Sequence, residues 1–194
     1  MIFTITGPSG CGKTTLVREL QKMYPDRFCE IVSTTSRPMR DGEVDGKDYH
    51  FVDREWFKKK LYTGNFLEHV EFGGNYYGVY AKDVDVAFKG DKHAVIIVDR
   101  KGAEAFVRRY GKDTVRRVYI STDPKKVMNR LIRRDGWSKA KKRIKADEEA
   151  GLFDWHGHDC VLRNDSGKRS IAYEFNNFVI AMEAQEQIKK EEVG

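Results

Sequence analysis

Two groups of residues have types suited to phosphate chemistry, and the first also has the spacing. The first is Gly7-Pro8-Ser9-Gly10-Cys11-Gly12-Lys13-Thr14-Thr15. Its glycines let the backbone curl until successive N–H groups face one anion. Such a loop needs a strand leading in and a helix leading out. The apolar run Ile2-Phe3-Thr4-Ile5 precedes it, and Leu16 to Leu20 follows with helical spacing. Lys13 is then expected to reach the β- and γ-phosphates of a nucleotide, and the Thr14 hydroxyl to ligate Mg²⁺. The second group is Arg37, Arg40, Tyr49 and Tyr77. Each guanidinium can fork onto a phosphate, and each phenol is a donor at a strand position. Taken singly, each arginine also reads as a solvated charge and each tyrosine as a packed aromatic.

The elements that must position these residues follow from periodicity and punctuation. Thr14 to Tyr24 reads as a helix stopped before Pro25, and Phe28 to Val32 as a strand. A polar, basic loop runs from Ser33 to Glu43. Asp45-Gly46 is a hairpin-turn signal before a strand at Tyr49 to Val52. Asp53 can cap a helix carrying Trp56, Phe57 and Leu61. Phe66 to Phe72 and Tyr76 to Tyr80 form a second hairpin about Gly73-Gly74-Asn75, and Asp83 to Phe88 suggests a helix. The run Ala94 to Val98 fits a strand buried on both faces. It ends in Asp99, at the carboxyl end where open α/β sheets place ligands. Ala103 to Tyr110 is helical, and Val115 to Ile120 is a strand. Asp123-Pro124 starts a helix that sets Arg130 and Arg134 four apart on one face. Gly136 interrupts it, and Ser138 to Ala150 is a basic helix. Cys160 to Leu162 is a short strand. A helix from Ile171 to about Ile188 precedes a charged tail expected to fray. Strands alternating with helices predict an α/β fold with a parallel core sheet.

Composition narrows the field. With 194 residues, 40% of them hydrophobic, the chain can build one sizeable α/β domain but is short for two. The net charge of +6 suits polyanionic ligands, and no base-stacking motif supports a nucleic-acid partner. The cysteines, Cys11, Cys29 and Cys160, are isolated and odd in number, so neither a disulfide framework nor a metal site is expected. No segment is long enough to span a membrane, and the N-terminal apolar run lacks the basic lead-in of a signal peptide. The expected home is the cytoplasm.

At this point the sequence resembles the guanylate kinase family along nearly its whole length. The resemblance rests on GPSGCGKTT, on STTSRPMRDGEVDGKDYHF from Ser33 to Phe51, and on FLEHVEFGGNYYGV from Phe66 to Val79. VDRKGA from Val98, the arginines Arg130, Arg134 and Arg143, and RND from Arg163 to Asp165 complete it. It implies a three-layer P-loop fold in a single domain over 1–194. The implied parts are a core (1–32, 81–134 and 152–190), a small mixed subdomain binding the nucleoside monophosphate (33–80), and a helical lid (135–151). It implies Mg²⁺-dependent transfer of the γ-phosphoryl of ATP to GMP or dGMP, by a monomer or weak homodimer.

The site residues follow from the resemblance, position by position. ATP is implied to meet Ser9, Gly10, Cys11, Gly12, Lys13, Thr14 and Thr15, with Arg130 and Arg134, and Asn164 at the adenine. GMP is implied to meet Ser33, Arg37, Arg40, Tyr49, Glu68, Tyr77, Val79 and Asp99. Lys13, Arg40, Arg130, Arg134 and Arg143 are the implied catalytic charges. Thr14 would ligate Mg²⁺ directly, and Asp99 through water. Glu68 has its own chemical rationale. A carboxylate offers two acceptors to the N1–H and 2-amino donors of guanine, and it repels the bare N1 of adenine.

Three departures from the family pattern stand out. The strand before Asp99 usually ends Asp-x-Asp, and here the first acidic position is Ile97. A serine or threonine usually follows Tyr-Tyr-Gly, and here it is Val79, which removes a donor to guanine O6. The stretch from Arg134 to Arg143 is shorter than usual. Because the acceptor is a phosphate oxygen already largely ionised near neutral pH, no general base is needed. The task is screening two polyanions while they align. A kinase for another or modified deoxynucleoside monophosphate, and a non-catalytic protein-binding module of this fold, are the competing readings. The intact Lys13, Thr14 and arginines speak against the module.

Overall fold

The computed structural model describes residues 1–72, 74–165 and 168–193. In chain order the elements are β1 (Ile2–Thr6), α1 (Lys13–Met23), β2 (Phe28–Glu30), β3 (Thr34–Thr35), β4 (His50–Phe51), α2 (Arg54–Tyr62), β5 (Phe66–Phe72) and β6 (Asn75–Tyr80). They continue as α3 (Ala81–Phe88), β7 (His93–Ile97), α4 (Arg100–Tyr110), β8 (Val115–Ser121), α5 (Pro124–Asp135), α6 (Trp137–Glu149), β9 (Cys160–Arg163) and α7 (Lys168–Val193). They fall into two compact units. One comprises Met1–Thr6 and Asp26–Val118, and the other Gly7–Pro25 and Tyr119–Gly194.

In the first unit β2, β7 and β1 pair in parallel, with Phe28 opposite His93 and Ile5 opposite Ile97. Ile2, Phe3, Ile5, Ala94, Val95 and Ile96 are all buried. A strand covered on both faces has no polar side to alternate with, which is why these runs read as continuously apolar. A second, mixed sheet has the order β4-β3-β6-β5. Within it β5 and β6 form the expected antiparallel hairpin, with Glu68 opposite Val79. Gly73 lies outside the described residues. On α2, the buried Phe57 stacks on Phe66 (4.1 Å) and Tyr76 (5.3 Å), and the Asp53 carboxylate caps the helix by accepting from the Trp56 N–H (2.6 Å).

One expectation is corrected here. Asp45-Gly46 does turn the chain, with Gly46 at φ +74°, but it closes no antiparallel hairpin. Thr34 and Thr35 pair with His50 and Phe51 in parallel. The connection from Ser36 to Tyr49 is long enough to carry the chain back to its starting end, which a parallel pair requires. A second adjustment concerns α4, which begins at Arg100 rather than Ala103. Asp99 caps it, its Oδ1 accepting from the Gly102 N–H at 2.8 Å.

In the second unit β9 runs out at Asn164, whose N–H donates to the Ser121 carbonyl at the end of β8 (2.8 Å). Helix α1 packs on α7. Helices α5 and α6 close on Val127, Leu131 and Ala140, all buried, with Met128, Ile132 and Ile144 around them. Asp123 and Pro124 start α5 as expected, the Asp123 carboxylate accepting from the Lys125 N–H (2.7 Å). The charged tail, expected to fray, continues α7 as helix to Val193. Its last turns are built from strong helix formers and carry an i,i+4 hydrogen bond from Gln187 to Glu191 (3.0 Å). No helix among the described residues is long and apolar enough to cross a membrane.

Candidate functional site

The second unit contains a cavity of about 520 Å³. The loop contributes Ser9, Gly10, Gly12, Lys13, Thr14 and Thr15 to its lining. Gly12 sits at φ +109°, a left-handed geometry that costs an L side chain strain, and a Cβ there would overlap the Asn164 amide. Immediately after it α1 starts without a side-chain cap, leaving its first N–H groups for an anion. The Lys13 ammonium lies back along the loop, donating to the carbonyls of Gly7 (2.6 Å) and Pro8 (3.0 Å). Cys11 does not line the cavity. Its side chain is fully buried, and burial pushes its thiol up, away from the reactive thiolate. Its carbonyl accepts from Thr122 Oγ1 (3.1 Å) and Asn164 Nδ2 (2.7 Å).

Three arginines reach the same cavity from α5 and α6. Arg130 donates to the carbonyls of Gly10 (3.3 Å) and Asn164 (3.0 Å), so it is braced between the loop and the end of β9. Arg134 and Arg143 share one counterion, Asp135, at 2.9 and 3.2 Å. The hydrogen bonds from Arg134, reinforced by the charges of both arginines, hold the Asp135 carboxyl below its ordinary range. Asn164 lines the cavity too, but its amide nitrogen is committed to the Cys11 carbonyl.

The other predicted residues lie in the first unit. Arg37 is buried and forks onto Glu43, with Nη1 to Oε2 at 2.9 Å and Nη2 to Oε1 at 2.8 Å. Its guanidinium lies over the rings of Tyr49 (5.6 Å) and Phe51 (5.5 Å), and Tyr49 meets Tyr77 edge to face at 6.1 Å. Arg37, Tyr49 and Tyr77 are therefore one cluster. The Arg40 side chain is exposed, and its loop is tied by its backbone N–H to Glu43 Oε2 (2.8 Å). Ser33 accepts at its carbonyl from the His50 N–H (2.9 Å). Glu68 is the strongly perturbed acid of this unit. Burial, and then the negative charge of Asp99, push its carboxyl up to about 7. Val79, directly opposite Glu68, is fully buried.

Two residues at these sites were not singled out from the sequence. Glu43 lies in the polar loop, where no periodicity marks which acid will meet Arg37. Asp147, on α6, accepts from the Ser9 N–H at 2.6 Å and from Ser9 Oγ at 3.2 Å. These residues are 138 positions apart, and no local pattern joins them.

Comparison with known proteins identifies the family. The family model for guanylate kinase matches residues 2–173. A guanylate kinase of Chlamydia felis is 41% identical over 135 residues, covering 70% of this chain. The chain thus spans just under two thirds of that relative's length, 65%. One from Maricaulis maris is 33% identical over 175 residues, covering 88% of this chain and 78% of the relative. The crystal structure of guanylate kinase from Anaplasma phagocytophilum superposes with a TM-score of 0.65 at 26% identity, over 94% of this chain and 85% of that one. A glycine-rich loop that opens an uncapped helix, arginines gathered at its cavity, and a family model matching residues 2–173 lead to one conclusion: this chain belongs to the guanylate kinase family.

Proposed function

We propose that the chain transfers the γ-phosphoryl group of ATP to GMP or dGMP. The observation that carries the reading is the convergence of Arg130, Arg134 and Arg143 on the cavity lined by the phosphate loop. Five charged or N–H-rich features at one cavity suit a triphosphate and little else: the loop, Lys13 and the three arginines. The named relatives are guanylate kinases, which supports GMP as the acceptor. In this reading Glu68 accepts from the guanine N1–H and 2-amino groups. Arg37, Arg40, Tyr49 and Tyr77 hold the monophosphate, with Ser33 and Asp99 beside them. Segment 33–80 is assigned to the acceptor, 135–151 to the lid, and 1–32, 81–134 and 152–190 to the core.

Mg²⁺ fits the residues present. No group of three His, Cys, Asp or Glu among the described residues could cage a metal, and Mg²⁺ prefers few protein ligands with phosphate oxygens and water completing its octahedron. The exposed Thr14 hydroxyl at the cavity would supply the protein ligand. Asp99, one of whose oxygens caps α4, is assigned a water-mediated part. The ion would supply charge neutralisation on the phosphates. The protein's own contribution is to hold both phosphate chains with fixed positive groups, so that little reorganisation is needed during transfer.

A second reading rests on Val79. With no hydroxyl opposite Glu68, the pocket reads guanine O6 less strictly, which favours a base-modified deoxynucleoside monophosphate. An ADP-release assay with ATP and a panel of ribo- and deoxynucleoside monophosphates separates the two. Turnover of GMP and dGMP well above AMP and CMP is expected. Turnover of a modified monophosphate alone selects the second reading, and none with any acceptor refutes both.

A further inference from the structure

Lid residue Asp147 does something the reaction itself does not require. It lies on α6, is only 8% exposed, and accepts from both hydrogen-bond donors of Ser9 in the phosphate loop, the N–H and the hydroxyl. The N–H contact, at 2.6 Å, is short and charge-assisted. A carboxylate is a planar anion with two acceptor oxygens, so it answers the same donors that a phosphate answers. Asp135 plays the matching part for Arg134 and Arg143. Before any nucleotide arrives, donors of the cavity are therefore satisfied by carboxylates on α6 and at the last residue of α5.

We propose that Asp147 is a latch. It fastens α6 onto the phosphate loop in the ATP-free protein, and ATP binds by displacing it. The proposal rests on the reading of this cavity as the ATP site. Two anions do not share one cradle, because like charges held a few ångströms apart at a partly buried site repel strongly. The triphosphate must evict the carboxylate, and binding is an exchange rather than an addition. Once released, α6 still presents Lys139, Lys141, Lys142, Arg143 and Lys145, so the same helix that leaves as an anion carrier is drawn back as a cation carrier.

The test is Asp147→Asn, which keeps the shape and removes the charge. Hydrogen exchange of residues 137–149 and the dissociation constant for a non-hydrolysable ATP analogue are measured in both proteins. Without nucleotide, the lid amides of the variant are expected to exchange about tenfold faster. The analogue is expected to bind the variant roughly three- to tenfold more tightly, because no internal anion competes. Unchanged lid exchange, or weaker binding by the variant, overturns the latch. In the wild type, the scalar coupling across the Ser9 N–H to Asp147 hydrogen bond should be present without nucleotide and absent with the analogue. That measurement decides the matter even if the variant does not fold, and a coupling that persists refutes displacement. If the analogue binds neither protein, the ATP reading has failed, and lid exchange in the nucleotide-free proteins still judges the latch.

Discussion

The clearest consequence of the acceptor residues is that GMP binding should be coupled to a proton on Glu68. Burial, then the charge of Asp99, raise that carboxyl to about 7. Accepting from N1–H and the 2-amino group requires the ionised form, so below pH 7 guanine must first drive off a proton. A group with this pKa is roughly 9% ionised at pH 6 and roughly 91% at pH 8, so affinity should fall about tenfold between them. The GMP phosphate, with a second pKa of about 6, adds about a further twofold. Calorimetric titration of GMP from pH 5.5 to 8.5, repeated with Glu68→Gln, separates the two contributions: the variant binds more weakly but keeps only the phosphate slope. At pH 7 the buffer dependence of the enthalpy should report about half a proton released. The same shift predicts stability. The native state keeps a proton between pH 4.5 and about 7 that the unfolded chain has lost, so stability falls as pH rises through that window. Glu68→Gln should therefore be the more stable protein at pH 8, by about 1 kcal/mol after solvent screening against an upper bound of about 3. The advantage should vanish below pH 4.5. A wild-type affinity for GMP that is flat from pH 6 to 8 once the phosphate is subtracted would refute the assignment of Glu68 to the base.

Three further outcomes are expected. Lys13→Ala should abolish phosphoryl transfer with an unchanged circular dichroism melt, because its ammonium meets only parts of the loop itself among the described residues, the Gly7 and Pro8 carbonyls and Cys11 Sγ, and leaves no core cavity; turnover near wild type would end the phosphate-loop mechanism. Arg40→Ala should raise KM for the monophosphate and Arg134→Ala KM for ATP, each by roughly 10-fold or more, since charged hydrogen bonds contribute about 1.5–3 kcal/mol; equal effects of both on both substrates would contradict separate clamps. Val79→Ser should cost stability, about 1–3 kcal/mol by thermal melting, because the hydroxyl would enter a fully buried position. An unchanged melting temperature would refute that cost of burying the hydroxyl.

Much of this protein was legible in the chain because its signals are local. The loop from Gly7 to Thr15, the caps at Asp53 and Asp123, and the apolar run from Ala94 depend on neighbours within a few residues, and backbone sterics and periodicity suffice to read them. What tertiary structure decided are the pairings of distant groups. The strand at His50 lies parallel rather than antiparallel to Thr34, because direction is chosen by where a long loop returns and not by the turn residues inside it. Glu43 on Arg37 and Asp147 on Ser9 are ion and hydrogen-bond contacts of buried or half-buried groups, and their strength comes from exclusion of water, a property no residue carries by itself. For the same reason the residue type of Glu68 announced a carboxylate, but only its burial and the charge of Asp99 made it an acid that titrates near neutrality.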